Sequence, residues 1–326
     1  MQGIRERLEQ HQIVIYFGAV VAAALAAVGL SGTSALADWV NPALALMLFL
    51  TFLQVPLAEL RSAFMRSRFL AALLVTNFAV IPMVVAGLLQ FLPPDPMVQL
   101  GVLLVLLTPC IDYVVTFSHM GRADARSLLA ATPMLLVGQM LMLPIYLNVL
   151  LGSNAARLMQ LEPFVHAFVW LIAVPLVMAG AVQLWAARSR SGARASAMLG
   201  LAPVPATALV LFVVVAAVVP QLGLAADTAL GVIPVYLAFA VIAPLTGWLI
   251  GRLFRLDAPA GRAIAFSAGT RNSLVVLPLA LVVPGAVPIL PAIIVTQTLV
   301  ELLSELVYVR SIARLGEQAV APTTLP

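Results

Sequence analysis

The sequence holds one cysteine, three histidines and no lysine in 326 residues, and only 9% of it is charged. A single cysteine excludes an internal disulfide, and none of the cysteine–histidine spacings of a structural zinc site occurs. Soluble domains carry roughly a quarter charged residues. A chain that is 63% hydrophobic and 9% charged cannot cover a soluble surface, and its mean hydropathy of +1.11 agrees. This composition excludes a soluble enzyme, a disordered chain and a nucleic-acid binder. Also missing are the phosphate-binding glycine loop with its lysine, the His-Glu-x-x-His zinc motif and the Gly-x-Ser-x-Gly elbow, so nothing supports ATP hydrolysis or zinc proteolysis. No cofactor and no resident metal is implied.

What remains is hydrocarbon-spanning helix. A membrane helix needs about 20 apolar residues, and ten such stretches occur, at roughly 13–31, 40–59, 69–92, 98–118, 126–151, 164–187, 202–222, 229–252, 262–283 and 288–309. They are continuously apolar rather than alternating, which argues against strands. The isoelectric point near 9.8 and net charge of +4 report orientation. Fifteen of the seventeen arginines fall in the N-terminus, the C-terminus and alternate loops, while Arg157 stands on the other side beside Asp38, Asp95, Glu162 and Asp227. Both termini are therefore expected in the cytoplasm, and the protein in the inner membrane. Arg5, Arg7, an apolar run and Ser34–Ala37 imitate a signal peptide, but the run is longer than a signal core, so a retained first helix is expected. Trp39, Trp170 and Trp248 fit interface belts, and His11, His119 and His166 read as interfacial.

The two halves share a layout. Stretches two to five and seven to ten begin about 160 residues apart, a spacing within the error of such boundaries. Five spans per half is odd, so the second half enters the membrane inverted, as in many secondary transporters. The expected architecture is all-α and integral to the membrane. It has ten helices in two inverted five-helix repeats, about 13–151 and 164–311, forming one domain over 1–326. In such folds the binding site lies where matching helices are interrupted near the midplane. The fourth stretch is broken at Thr108-Pro109-Cys110-Ile111-Asp112, where Pro109 frees a carbonyl near Val105. The ninth is broken at Gly269-Thr270-Arg271-Asn272-Ser273, where Gly269 permits unusual backbone angles. At 1.5 Å per residue Cys110 lies about 18 Å and Arg271 about 14 Å into their spans.

Four ionisable residues fall inside the core: Asp112, Arg271, Glu301 and Glu305. A charge at the bilayer centre costs about 2.5–3.5 kcal/mol even on insertion scales, so these positions default to function. Asp112 and Arg271 are expected to meet where the breaks cross; a purely structural ion pair is the alternative. Gln297, Glu301, Ser304, Glu305 and Tyr308 share one face of the tenth helix. Glu301 is the deeper carboxylate and, with Asp112, the expected proton-linked group. Glu305 is expected to pair with Arg310 or Arg314 at the cytoplasmic end. Cys110, between a helix-breaking proline and an intramembrane acid, is a soft ligand in place for a soft substrate. Thr132, Pro133 and Gln139 are weaker cavity candidates.

With these motifs the chain resembles the superfamily of bile acid:sodium symporters and arsenite efflux permeases, over nearly its whole length. The likeness is greatest to the permease branch, in which the fourth helix carries a cysteine after its break and the tenth a glutamate in Leu-Val-Glu; Cys110 and Leu299-Val300-Glu301 match these. The resemblance implies that helices four and nine are broken and cross. Two departures stand out: Pro109 replaces the permease arginine, and Arg271 stands where the ninth helix usually carries Asn-Asn-Phe-Glu. The positive charge has moved to helix nine and the negative one to helix four. In the symporter branch polar residues of helix nine hold sodium, which Arg271 would repel.

The resulting expectation is a secondary transporter exporting arsenite or a related arsenical with proton or potential coupling. Thr108, Cys110, Asp112, Thr270, Arg271, Asn272, Ser273 and Glu301 face its substrate. A sodium-coupled organic-anion symporter is the alternative, and a membrane sensor or scaffold without transport is a third reading that the lack of a soluble output domain disfavours. Partners are the bilayer, a small anion and a coupling ion, with no nucleic acid; oligomeric state and transport direction are not readable.

Overall fold

A computed structural model describes residues 2–54, 66–111, 113–156, 166, 169–222, 225–281 and 283–316. Helix makes up 86% of the structure, and no strand occurs among the described residues. The helices are α1 Gln2–Gly29, α2 Ala37–Gln54, α3 Ser67–Leu89, α4 Pro96–Leu106, α5 Tyr113–Met120, α6 Ala125–Ala156, α7 Val174–Arg188, α8 Arg190–Leu199, α9 Pro203–Leu222, α10 Ala226–Leu253, α11 Ala258–Gly269, α12 Ser273–Leu281 and α13 Ile289–Ser311. One wide π turn, Thr76–Val80, interrupts α3.

Seven of these helical segments are long and apolar enough to cross a membrane, and they coincide with seven of the ten apolar stretches. The other three stretches differ for local reasons. The fourth folds as α4 and α5 and the ninth as α11 and α12, each a pair of short helices around a break. In the sixth, the described α-helix is Val174–Arg188. At 1.5 Å per residue α4 and α11 reach about 16 and 18 Å, roughly half of a 30 Å hydrocarbon layer. Large apolar side chains such as Leu25, Val28, Leu230, Leu303 and Val307 point outward. Outward apolar surface of that kind suits lipid. The chain is a multi-pass membrane protein.

Small residues set how closely the helices approach. On α10, Gly247 and Gly251 face α11: a Cβ on Gly247 would lie 2.7 Å from the Cβ of Ala268 and 2.9 Å from the carbonyl of Ile264, and one on Gly251 would lie 3.0 Å from Gly261. Such small-x-x-x-small seams let backbones pack where no hydrophobic force drives helices together. Gly101 of α4 seats against Leu290 and Ile293 of α13, and Ala23 of α1 packs with Val215 and Ala216 of α9. Asp95 caps α4 by accepting the amides of Met97 and Val98, with Pro96 in the first turn.

One arginine-rich end of the molecule is tied by polar contacts. Arg66 pairs with Asp124 and donates to Ser127. The amide of Asp124 donates to the carbonyl of Pro259. Arg262 donates to the carbonyls of Leu315 and Arg122. The ends of α3, α5, α11 and α13 therefore gather at one face. Trp39 and Trp170 are exposed, whereas Trp248 lies against Gly261.

Candidate functional site at the crossed helix breaks

The first break follows from two side chains. Pro109 has no N–H to offer the carbonyl of Val105, and the hydroxyl of Thr108 takes that place, 3.0 Å from Val105 O and 2.9 Å from Leu104 O. At the second break Thr270 leaves the helix with extended angles, φ −105° and ψ 127°. Its hydroxyl lies 2.7 Å from the carbonyl of Phe266. Gly269 is still helical. Its value is space rather than unusual angles, because a Cβ there would sit 2.9 Å from the ring of Tyr308.

The two breaks meet backbone to backbone. The amide of Cys110 donates to Thr270 O at 3.1 Å, and the amide of Asn272 donates to Thr108 O at 2.8 Å. These two bonds frame an isolated antiparallel bridge between Pro109 and Arg271. A local two-fold therefore relates Thr108 to Thr270 and Cys110 to Asn272. The junction is fully buried, including the Cys110 thiol.

Arg271 is the largest fully buried side chain among the described residues. Its guanidinium turns back along its own helix to the carbonyls of Ser267 and Ala268, the latter at 2.8 Å, and reaches Leu106 O at 3.4 Å. Those carbonyls are the unserved acceptors at the C-terminal ends of α11 and α4. One cation thus sits on the negative ends of two half-helix dipoles. Asn77, in the π turn of α3, accepts from Arg271 Nη2 at 3.0 Å. Phe239 of α10 places its ring 5.5 Å below the guanidinium carbon, a cation–π distance.

Glu301 joins α13 to the junction. Its Oε2 accepts the backbone amide of Arg271 at 2.7 Å and the amide of Gln297 at 2.5 Å, and its Oε1 lies 2.5 Å from the hydroxyl of Tyr113. Thr298 donates to the hydroxyl of Ser273 at 2.9 Å. One turn beyond Glu301, Glu305 is fully buried, with Oε1 2.5 Å from the Thr270 hydroxyl. Tyr308 donates to the carbonyl of Ala240. Gln297, Glu301, Ser304 and Tyr308 line a cavity of about 10 Å³, room for the centre of one water. Arg271 Nε, Asn272 Nδ2, Gln297 Oε1 and Glu305 Oε2 are buried without a partner among the described residues. Such orphans are uncommon in buried structure, where polar atoms are nearly always bonded.

The structure thus brings together Thr108, Pro109, Cys110, Gly269, Thr270, Arg271, Asn272, Ser273 and Glu301. Asp112, and with it the expected Asp112–Arg271 contact, lies outside the described residues. Glu305 corrects the sequence reading: it is buried against Thr270, because α13 continues beyond it to Ser311 and keeps that turn inside. Thr132 bonds to Leu129 O in its own helix, while Gln139 is buried with both amide atoms unpartnered among the described residues. His11 bonds to Arg7 O. Sequence reasoning missed Asn77, Tyr113 and Phe239. An asparagine in an otherwise apolar third stretch was the one available signal.

Comparison with curated proteins finds no match. The family model of the Sodium Bile acid symporter family matches residues 41–228, which include the first break but not Arg271 or Glu301. With more than half of the chain matched, this multi-pass protein belongs to the sodium bile acid symporter family, a family of membrane transporters.

Proposed function

We propose that the protein is a secondary active transporter that exports trivalent arsenic, as arsenite or a related arsenical, across the inner membrane with proton or potential coupling. The observation that carries this reading is the Arg271 guanidinium on the carbonyls of Ser267, Ala268 and Leu106, beside a junction that holds the Cys110 thiol. In secondary transporters, half-helix carbonyl ends coordinate the coupling cation. Here a tethered cation takes those acceptors, so sodium would find them used and would meet a like charge. The thiol is a soft ligand for trivalent arsenic; a single thiol binds it weakly enough to release it.

The architecture that fits is ten spans in two inverted five-helix repeats, about 13–151 and 164–311, with both termini cytoplasmic. Access would alternate by one bundle rocking against the other about the crossing. Thr108, Cys110, Asp112, Thr270, Arg271, Asn272, Ser273 and Glu301 form the substrate-facing set. The test is arsenite tolerance in an efflux-deficient host together with arsenite uptake into everted vesicles. Wild type confers tolerance, Cys110→Ser loses it, and replacing sodium by choline leaves uptake unchanged. Uptake that strictly requires sodium overturns the coupling.

Sodium-coupled symport of an organic anion is the second reading. The name of the family favours it, and so does an apolar groove of about 680 Å³ between α10 and α13. The groove is lined by Leu230, Leu237, Leu303 and Val307, and it shares Val300 and Ser304 with the small polar cavity. Its size suits the apolar body of an amphipathic anion. Sodium-dependent accumulation of a bile acid in the same vesicles would select this reading. A sensor or scaffold without transport gains no support from the family.

A further inference from the structure

Glu301 and Glu305 are one helical turn apart on α13, yet their hydrogen inventories differ. Glu301 Oε2 receives two hydrogens from groups that own them, the Arg271 and Gln297 amides. The one hydrogen of the Tyr113 hydroxyl goes to Glu301 Oε1 at 2.5 Å, because its other neighbour, Arg271 O, stands at 3.3 Å, beyond the usual O–H···O range. That is how an ionised, acceptor-only carboxylate is satisfied. The surroundings of Glu305 are short of hydrogens. Three oxygens stand in a row, with Glu305 Oε1 2.5 Å from Thr270 Oγ1 and Thr270 Oγ1 2.7 Å from Phe266 O. Both distances are hydrogen-bond distances, so two hydrogens are needed. A carbonyl supplies none and a hydroxyl supplies one. The second can come only from the carboxyl. The other oxygen, Oε2, is buried with no partner among the described residues. An ionised carboxylate left so is expensive inside a membrane.

We propose that Glu305 is the proton-carrying carboxyl of the transport cycle, while Glu301 remains the ionised partner of the crossing. This assignment rests on the proton-coupled reading above. Among the described residues, the charged and titratable groups around Glu305 are Glu301 and Tyr308 on its own helix, Arg271 beyond Thr270 at the α11 break, and Tyr113 of α5 on the far side of Glu301. Tyr308 spends its hydrogen on Ala240 O, so it cannot serve Glu305. In the cycle, Glu305 takes one proton when its face of α13 opens to one side of the membrane. It returns that proton when the face opens to the other side, and Thr270 passes the change in hydrogen bonding to the break itself.

Infrared difference spectroscopy of purified protein in lipid nanodiscs tests the proton's position without any substrate. The expected result is a protonated-carboxyl band that is present in wild type and in Glu301→Gln and missing in Glu305→Gln. Thr270→Val, which keeps the carboxyl and removes its acceptor, shifts that band. A band lost in Glu301→Gln and kept in Glu305→Gln, or one unmoved in Thr270→Val, overturns the proposal. Proteoliposomes supply the coupling test. One proton per arsenite lets a one-unit pH step drive about tenfold accumulation, and Glu305→Gln reduces this to the level seen without the step. Full pH-driven accumulation in Glu305→Gln also overturns the proposal. A wild type that moves no arsenite refutes the substrate reading alone, and the infrared result then decides the proton's position.

Discussion

Oδ1 of Asn77 accepts from Arg271 Nη2 at 3.0 Å, while the amide nitrogen of the same asparagine donates to Ser267 Oγ at 3.0 Å and to Leu73 O at 3.1 Å. One side chain of α3 therefore holds both the buried cation and the helix end that the cation caps. The π turn at Thr76–Val80 gives this arrangement its register, since an extra residue in a turn redirects a side chain. Asn77 is thus a positioning residue for Arg271.

Asn77→Ala removes the acceptor for Nη2 and the donor to Ser267. The expected loss is about 1–3 kcal/mol, the cost of leaving a buried polar group unsatisfied. Thermal unfolding in detergent should show a lowered midpoint, together with reduced transport. A variant as stable and as active as wild type would mean that the guanidinium is held by carbonyls alone.

Removing the cation makes a sharper test. In Arg271→Gln the carbonyls of Ser267, Ala268 and Leu106 lose their charged donor, and stability falls by about 3 kcal/mol or more. The released carbonyls and the intact Glu301 then form an attractive place for a small cation. Sodium should raise the unfolding midpoint of Arg271→Gln, by ordinary ligand linkage, and leave wild type unmoved. Equal sodium responses in the two proteins would contradict the tethered-cation reading.

The sequence revealed much of this because membrane helices leave coarse marks. Long apolar runs locate the spans, and a proline or a polar run inside one is legible as a break. Pro109 and the stretch Gly269–Ser273 carried that signal. What stayed hidden depends on which helix lies alongside. Asn77 is one polar residue in an apolar stretch until the fold brings it to Arg271. Glu305 reads as a helix-end acid until α13 is seen to continue past it. The small residue at 269 reads as backbone freedom, and only the nearby Tyr308 ring shows that it is about volume.

The glycine seam between α10 and α11 should be intolerant. Gly247→Ala places a Cβ 2.7 Å from that of Ala268 and 2.9 Å from a backbone carbonyl, contacts that force the half-helix away. Overpacking of this kind costs about 1–3 kcal/mol. Gly231, on the same helix with nothing within 4 Å, is the control; alanine there is neutral or slightly stabilising, since glycine is the poorer helix former. The difference between the two midpoints in one unfolding assay decides the point.

At the arginine-rich end, Asp124 caps α6 through the amide of Ser127 at 3.0 Å and also meets the Ser127 hydroxyl and Arg66. Partial burial works to raise its pKa, but the Ser127 amide and hydroxyl and then Arg66 outweigh it and hold the carboxyl below its ordinary 3.8. A lowered folded value means that the contribution is complete above that ordinary value and is lost as pH falls through the folded one. Hydrogen exchange at Ser127 should therefore stay slow at neutral pH and accelerate only in the acid range below 3.8. Asp124→Ala, which removes the accepting oxygen, should show fast exchange at both. Arg66→Ala should change little, because the exposed pair is screened.

Gly269 and Tyr308 make a pair that a double-mutant cycle can resolve. Gly269→Ala pushes a methyl to within 2.9 Å of the tyrosine ring, which is anchored by its hydroxyl on Ala240 O. The ring must move and break that bond, or the α11 end must move and strain the junction at Thr270. Either route disturbs the Thr270 hydroxyl beside Glu305 Oε1. Tyr308→Leu loses the bond to Ala240 but makes room. If steric crowding is the mechanism, adding Tyr308→Leu to Gly269→Ala destabilises less than the two single losses combined, with an interaction energy of about 0.5–3 kcal/mol. Additive losses would show that glycine serves the backbone at this position after all, and that the tyrosine ring does not set its size.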